Sequence, residues 1–393
     1  MGKPVGMEVS IAISHSVRLA NVDVIAAYPI TPQTHIVEHL AELVANGELE
    51  AEYIPVESEH SALSSCIGSS AAGARTFTAT SSQGLALMHE IVFIAPALRL
   101  PIVMVVANRA LSGPISIWND HSDIMAERDC GWIQTFAENG QEAIDLTLHA
   151  FRVAEDHKVL LPFIVNIDGF TLSHVTEPVE IPEPGQVARF LPDYEPLIRL
   201  DPEHPVTMGP VGIPEVYTEA RKAMDETLQQ SKTIVLKAWR EFSDIFGRGY
   251  KPVETYRTEG AETILVTMGA ISETAMTTID RLREEGRKVG LVRIRLWRPF
   301  PFEEIRAALS PARVVAVVDR AMSLGGQGGP VCGEIRSALY EIKTPRPHVF
   351  GYIAGLGGRD VTIETFTEII DKAETAASEA PRHEYEMIGV REI

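Results

Sequence analysis

Four runs dominated by Val, Ile and Leu, at residues 102–107, 163–168, 263–268 and 314–319, constrain this chain more than any other feature. Strands that are apolar on both faces need cover on both faces. The environment that supplies it is a parallel sheet with helices above and below. Helical periodicity falls between such runs, at 6–20, 60–72, 84–94 and 140–156 in the first half and at 273–285, 330–340 and 363–377 in the second. Shorter β-branched runs at 22–27, 52–56, 75–79, 288–294 and 348–353 complete the alternation. Strand and helix in regular exchange predict an α/β protein built on doubly wound parallel sheets.

Two composition shifts divide the chain of 393 residues. Residues 178–214 are rich in proline and acid and read as an extended connecting arm; a helix from 214 to 231 or beyond returns to the first domain. The composition turns polar again near 247–260, which suits a boundary. The expectation is a first domain over 1–250 that includes the arm, and a smaller α/β domain over 258–393.

Charge excludes several functions. With 35 Lys and Arg against 54 Asp and Glu, the net charge of -19 argues against nucleic acid or an anionic membrane as a main partner. It would also repel an acidic electron carrier. The 3 cysteines, Cys66, Cys130 and Cys332, form no CxxC pair, so neither a disulfide framework nor a zinc site is indicated. A four-cysteine iron–sulfur cluster is beyond this chain. The longest apolar stretch, 91–107, is broken by Pro96, Arg99 and Pro101 and is too interrupted to span a bilayer. A reducing cytoplasm is the expected compartment.

Chemistry-bearing residues cluster at the carboxyl ends of the expected strands, where open α/β sheets bind ligands. After the first strand comes Tyr28-Pro29-Ile30-Thr31-Pro32-Gln33-Thr34, a stiff loop with two hydroxyls and an amide. It reads as a site for an anionic substrate group, or as a helix start with Thr31 as N-cap and Pro32 as first helical residue. Val56-Glu57-Ser58-Glu59-His60 offers a general acid–base carboxylate, or simply acidic residues favoured at a helix N-terminus. Ala79-Thr80-Ser81-Ser82-Gln83-Gly84 is a polar-ligand loop or a helix cap. In Asn108-Arg109-Ala110, Arg109 is suited to a bidentate grip on a carboxylate, or to a salt bridge with a partner chain. The following Trp118-Asn119-Asp120-His121-Ser122-Asp123 has the character of a site-covering loop. The glycine run 325–329 before Pro330 is a phosphate cradle or a tight turn; it lacks the P-loop lysine and the full dinucleotide fingerprint.

Taken together, the YPITP loop at 28–32, Glu59, SSQG at 81–84, Asn108-Arg109, DHSD at 120–123, RLWRPF at 295–300 and the glycine run resemble the alpha subunit of the multi-subunit pyruvate (2-oxoacid):ferredoxin oxidoreductases. The resemblance covers nearly the whole chain. It implies a pyrimidine-binding thiamine diphosphate domain followed by a transketolase C-terminal-like domain. It implies that Glu59 hydrogen-bonds N1′ of the aminopyrimidine, with Glu57 the rival on strand parity. It implies that Thr31 and Arg109 bind the 2-oxoacid and that Pro29, Ile30, Ser82 and Gln83 line the cofactor. The implied reaction is oxidative decarboxylation of pyruvate with coenzyme A to acetyl-CoA, CO2 and reduced ferredoxin, in either direction.

The family's Gly-Asp-Gly element for Mg2+ is missing, since Ile167-Asp168-Gly169 lacks the leading glycine. The resemblance therefore places Mg2+ and diphosphate on a beta subunit, and 4Fe-4S clusters on partner chains of beta, gamma and delta type. No metal is expected on this chain, and ferredoxin should dock on a partner. Two alternatives stay open: another substrate (2-oxoglutarate, a branched-chain 2-oxoacid or oxalate), and a non-catalytic scaffold, against which the joint presence of Glu59, Thr31 and Arg109 argues.

Overall fold

The computed structural model describes residues 4–343, 345–379 and 384–391. The chain begins with β1 (Val5–Glu8), α1 (Val9–Leu19), β2 (Val24–Ala27), α2 (Thr34–Ala45), β3 (Glu52–Pro55), α3 (Glu59–Ala71) and β4 (Thr76–Thr80). It continues through α4 (Ser82–Leu87), α5 (His89–Ala97), β5 (Val103–Asn108), α6 (Ser122–Ala126), β6 (Ile133–Phe136), α7 (Gly140–Ala154) and β7 (Phe163–Asp168). Then come β8 (Thr176–Val179), α8 (Pro184–Phe190) and the long α9 (Pro214–Phe246). The remainder comprises β9 (Val253–Tyr256), β10 (Thr263–Met268), α10 (Ile271–Glu284), β11 (Val289–Ile294), β12 (Leu296–Arg298), α11 (Phe302–Leu309) and β13 (Val314–Asp319). It ends with α12 (Pro330–Tyr340), β14 (His348–Ile353), α13 (Ile363–Ala376) and β15 (Tyr385–Met387).

The first sheet has the order β12-β6-β7-β5-β4-β2-β3 and is parallel except for β12, which runs antiparallel to β6. The second has the order β15-β14-β13-β10-β11-β9 and is parallel except for β9. Only Arg295 separates β11 of the second sheet from β12 of the first. The RLWRPF segment thus stitches the two sheets together.

Three apolar layers hold the molecule. On one face of the first sheet, Ile13 and Val17 of α1, Leu146 and Phe151 of α7, and Trp239 and Phe242 of α9 form one cluster. On the other face, Leu63 and Cys66 of α3 and Val92 of α5 join Val266, Ile294 and Trp297, so this core runs into the second sheet without a break. Ile279 of α10 and Phe366 and Ile370 of α13 cover the outer face of the second sheet. Full burial of each such large apolar side chain contributes about 1.5–3 kcal/mol.

Some expectations need correction. Residues 6–20 are not all helix: Val5–Glu8 form β1, which pairs antiparallel with β8. The helix expected over 84–94 divides at Met88 into α4 and α5. Within the arm at 178–214, Pro184–Phe190 form α8, with proline in the first turn and Val187 and Phe190 buried. Proline suits a helix's first turn, where no amide donor is needed, so proline richness alone does not mean extended chain. Thr31 is not an N-cap either: α2 starts at Thr34, with Gln33 preceding it.

Candidate active site

The carboxyl ends of β2, β3, β4, β5 and β7 lie side by side along one edge of the first sheet. They carry the YPITP loop, Glu59, the SSQG turn, Asn108-Arg109 and Asp168 respectively. Gln33, fully buried, binds the first of these loops to the third: its Nε2 donates to Tyr28 O at 3.1 Å and to Ala79 O at 2.8 Å. Tyr28, Pro29 and Thr31 remain exposed and Ile30 is half-buried. Pro32 packs on Gly169, where a β-carbon would stand 2.6 Å from Pro32 Cγ and 2.4 Å from Asn108 O.

Glu59 is the first residue of α3 and is only 7% exposed. Ser58 caps the helix, its Oγ accepting the Ser61 N–H at 3.2 Å. Among the described residues Glu59 makes no side-chain hydrogen bond, although its carboxylate packs against Gly84 and, across it, Thr80. The Thr80 Oγ1 is likewise buried without a partner among the described residues. Glu57, the other carboxylate of the motif, points to solvent and accepts the Ser61 hydroxyl at 2.7 Å. Burial thus separates two acids that sequence parity could not. A carboxylate so nearly enclosed, with no protein donor among the described residues, is open to a ligand that supplies one. A hydrogen-bonding ring nitrogen of an aminopyrimidine is such a ligand, so these residues fit thiamine.

Arg109 is 7% exposed, and burial lowers its pKa while Asp123 opposes that shift. Its guanidinium is held by two main-chain carbonyls: Nη1 donates to Thr31 O at 2.9 Å and Nε to Ser116 O at 2.8 Å. Nη2 keeps no protein partner among the described residues. Thr31 and Arg109 are therefore brought together, through the Thr31 carbonyl rather than its hydroxyl.

Asp123 ties the turns together from beneath. Its Oδ2 accepts the Ser82 and Arg109 N–H groups, each at 3.0 Å, and its Oδ1 accepts Asn108 Nδ2 at 3.1 Å and its neighbour Ile124 N–H at 2.8 Å. Burial pushes its carboxyl up to about 7, against the pull of the backbone donors and with Asp120 adding to the rise. The sequence marks Asp123 only by its place in the DHSD segment. Ser82, at φ 47°, donates its hydroxyl to Ala110 O at 2.6 Å and is fully buried, so donating that hydrogen to a cofactor would require the bond to be given up. Gln83, beside it, is half-buried.

The second domain grips the covering loop. Gly357 N–H donates to Asp120 Oδ2 at 3.1 Å, Gly358 N–H to Asn119 O at 2.6 Å, and His121 N–H to Arg320 O at 2.7 Å. A β-carbon on Gly358 would stand 2.5 Å from Trp118 Cβ, so only glycine allows that approach. Below it, Asp168 is enclosed by His121 Nε2 at 2.7 Å, Arg320 Nη1 at 3.1 Å and Ala270 N–H at 2.7 Å. Burial alone would raise its pKa, but Arg320 and His121 hold it well below the usual carboxylate range. Its oxygens are thus taken up inside the protein.

The glycine run does not cradle a phosphate. Asp319 at the end of β13 occupies the N-terminus of α12, accepting the Val331 and Cys332 N–H groups at 2.8 and 3.0 Å. A β-carbon at Gly329 would stand 2.0 Å from Asp319 Oδ2. The three cysteines are all buried and unpaired. Among the described residues, no cluster of three or more His, Cys, Asp or Glu is arranged to hold a metal, and no helix is long and apolar enough to cross a membrane.

Comparison with known proteins follows the same division. A family model described as pyruvate flavodoxin/ferredoxin oxidoreductase, thiamine diphosphate-binding, matches residues 15–239. A second, described as pyruvate:ferredoxin oxidoreductase core domain II, matches residues 261–366. The chain is 52% identical over 372 residues to pyruvate synthase subunit PorA of Methanocaldococcus jannaschii, covering 94% of each. It is 50% identical over 381 residues to the same subunit of Methanothermobacter thermautotrophicus, covering 97% of each. Among solved structures, 2-oxoglutarate:ferredoxin oxidoreductase from Magnetococcus marinus matches with a TM-score of 0.70 at 21% identity, over 96% of this chain and 66% of that one. At that identity the likeness concerns the fold alone.

Proposed function

The chain belongs to the pyruvate:ferredoxin oxidoreductase family, and on that premise we propose that it works as the alpha subunit of a pyruvate synthase. Its first domain binds thiamine diphosphate, and its activity is the reversible oxidative decarboxylation of pyruvate with coenzyme A. The observation that carries the reading is Glu59: 7% exposed, without a side-chain hydrogen bond among the described residues, and backed by Gly84.

Thiamine diphosphate, when bound, supplies the carbon nucleophile for the 2-oxo group and the electron sink for loss of CO2. The protein's contribution is proton control and orientation. Glu59 holds a proton at ring nitrogen N1′, and its burial strengthens that interaction. Arg109 presents Nη2, the part of its guanidinium not held by Thr31 O and Ser116 O, to the substrate carboxylate. We assign Pro29, Ile30 and Gln83 to the lining of the cofactor and Thr31 to the substrate.

The diphosphate, its Mg2+ and the 4Fe-4S clusters sit on partner subunits of beta, gamma and delta type. Support comes from Asp168, whose oxygens are taken up by His121, Arg320 and Ala270, and from cysteines that are buried and separate. Ferredoxin docks on a partner chain, in keeping with the net charge of -19. The free thiols suit a cytoplasmic complex.

The test is Glu59→Gln in the assembled complex. Pyruvate-dependent electron transfer should fall at least about 100-fold, the lower range for loss of a positioned proton-transfer group. Subunit composition and iron content should stay the same. Turnover near wild type would refute the assignment.

A further inference from the structure

The carboxylate of Asp123 touches three elements and no solvent. It receives the Ser82 N–H from the turn after β4, the Arg109 N–H and Asn108 Nδ2 from the end of β5, and the Ile124 N–H from α6. All four partners are donors. Two converge on each oxygen, so an acidic hydrogen on either oxygen would face an N–H; the donor set favours the ionised group and works against the upward push of burial.

The two turns are joined at further points. Ser81 Oγ donates to Ala107 O at 2.7 Å, and Ser82 Oγ donates to Ala110 O at 2.6 Å. Ser82 takes a left-handed backbone conformation at φ 47°, which a serine holds only when its surroundings dictate it. The turn after β4 contains Gly84, against which Glu59 rests. The turn after β5 carries Arg109, whose head is steadied by Thr31 O and Ser116 O but whose main-chain N–H is held, among the described residues, by Asp123 alone. One buried carboxylate therefore couples the Glu59 side of the site to the Arg109 side. Asp120 and Arg109 are the charged groups set against it.

We propose that Asp123 is a positioning residue for the 2-oxoacid: by binding the main chain of Ser82 and Arg109 together, it fixes where Arg109 meets the substrate carboxylate. This rests on the reading of Arg109 as the group that binds that carboxylate. An asparagine at 123 keeps the shape but offers an oxygen to one donor pair only; its NH2 faces either the Ser82 and Arg109 N–H groups or Asn108 Nδ2 and the Ile124 N–H, and the pair it faces loses its acceptor.

Assembled complexes carrying Asp123→Asn and, separately, Arg109→Lys decide the matter. KM for pyruvate, KM for coenzyme A, kcat and amide hydrogen exchange are measured for each. The expectation for Asp123→Asn is a roughly tenfold rise in pyruvate KM, an unchanged coenzyme A KM, and faster exchange in peptides covering residues 81–84 and 108–111. A role in stability alone would lower kcat through loss of active complex at constant pyruvate KM, and that outcome overturns the proposal. If Arg109→Lys raises pyruvate KM and Asp123→Asn does not, the proposal falls while the reading of Arg109 stands. If neither moves it, both fall. Should Asp123→Asn fail to assemble, Asn108→Ala removes one donor from the same carboxylate. A threefold or greater rise in pyruvate KM at constant coenzyme A KM then supports the proposal, and no change overturns it.

Discussion

Glu59 Oε1 faces the bare α-carbon of Gly84: a β-carbon there would stand 2.7 Å from that oxygen and 2.5 Å from Thr80 Oγ1. The glycine is thus required by space rather than by its backbone angles. Gly84→Ala should displace the carboxylate, lowering kcat by about tenfold or more while costing about 1–3 kcal/mol of stability from overpacking. Steady-state kinetics and thermal unfolding of the assembled variant check both halves, and an alanine variant with full kcat would show that the contact is not critical.

Thr80 provides the converse case. Its hydroxyl is buried without a partner among the described residues, so it contributes little to the folded state that a methyl would not. Thr80→Val is expected to leave the unfolding midpoint of the ligand-free chain unchanged or slightly raised. A loss exceeding about 1 kcal/mol, the size of an ordinary net hydrogen bond, would mean that the hydroxyl is bonded after all.

The join between the domains depends on Glu142 of α7. Arg293 reaches it from β11 of the second sheet at 2.8 Å, and Arg295 from the junction between β11 and β12 at 2.6 Å. Glu142→Ala leaves two buried guanidinium groups short of their acid and should destabilise the chain by about 3–5 kcal/mol.

That pair also sets a pH dependence. Burial alone would raise the Glu142 carboxyl, but Arg295 and Arg293 bring it down to about 2 from an ordinary 4.5. Its stabilisation is therefore complete above pH 4.5 and is lost as pH falls from there toward 2. Glu138 beside it acts in the opposite sense. Burial pushes it up to about 7, so its contribution to stability grows as pH falls from about 7 toward 4.5. Unfolding midpoints followed downward from neutral pH should drop steeply in wild type below pH 4.5 and less so in Glu142→Ala. Equal slopes would discount the ion pair as their source.

The purified chain by itself should bind thiamine diphosphate and Mg2+ weakly, because in the proposed site Glu59 addresses one end of the cofactor only, and both Asp168 oxygens already accept hydrogen bonds inside the protein. Isothermal titration of the isolated chain is the check. Tight, Mg2+-dependent binding would place the diphosphate site on this polypeptide and contradict the division between subunits.

Much of the fold was written locally. Strands 163–168, 263–268, 314–319 and 348–353 and helix 330–340 lie where their patterns placed them, since apolar run length and 3.6-residue periodicity are properties of neighbouring residues. The strands without a local mark, β1, β6, β8, β9, β12 and β15, are three or four residues long and exist through pairing with distant partners. No local pattern marks so short a ladder. α8 was hidden by the prolines in and around it.

The site divides along the same line. By itself the sequence determined which residue types stand at the strand ends: Thr31 in YPITP, Glu59 or Glu57, SSQG, and Arg109. These follow from strand and loop order, which the chain encodes residue by residue. Only the tertiary structure decided that Glu59 is buried and Glu57 is not, that Arg109 is steadied by Thr31 O and Ser116 O, and that Asp123 joins two turns. Burial and the capture of main-chain donors depend on which segments come together in space, and that is a property of the packed sheets and not of any one stretch of chain.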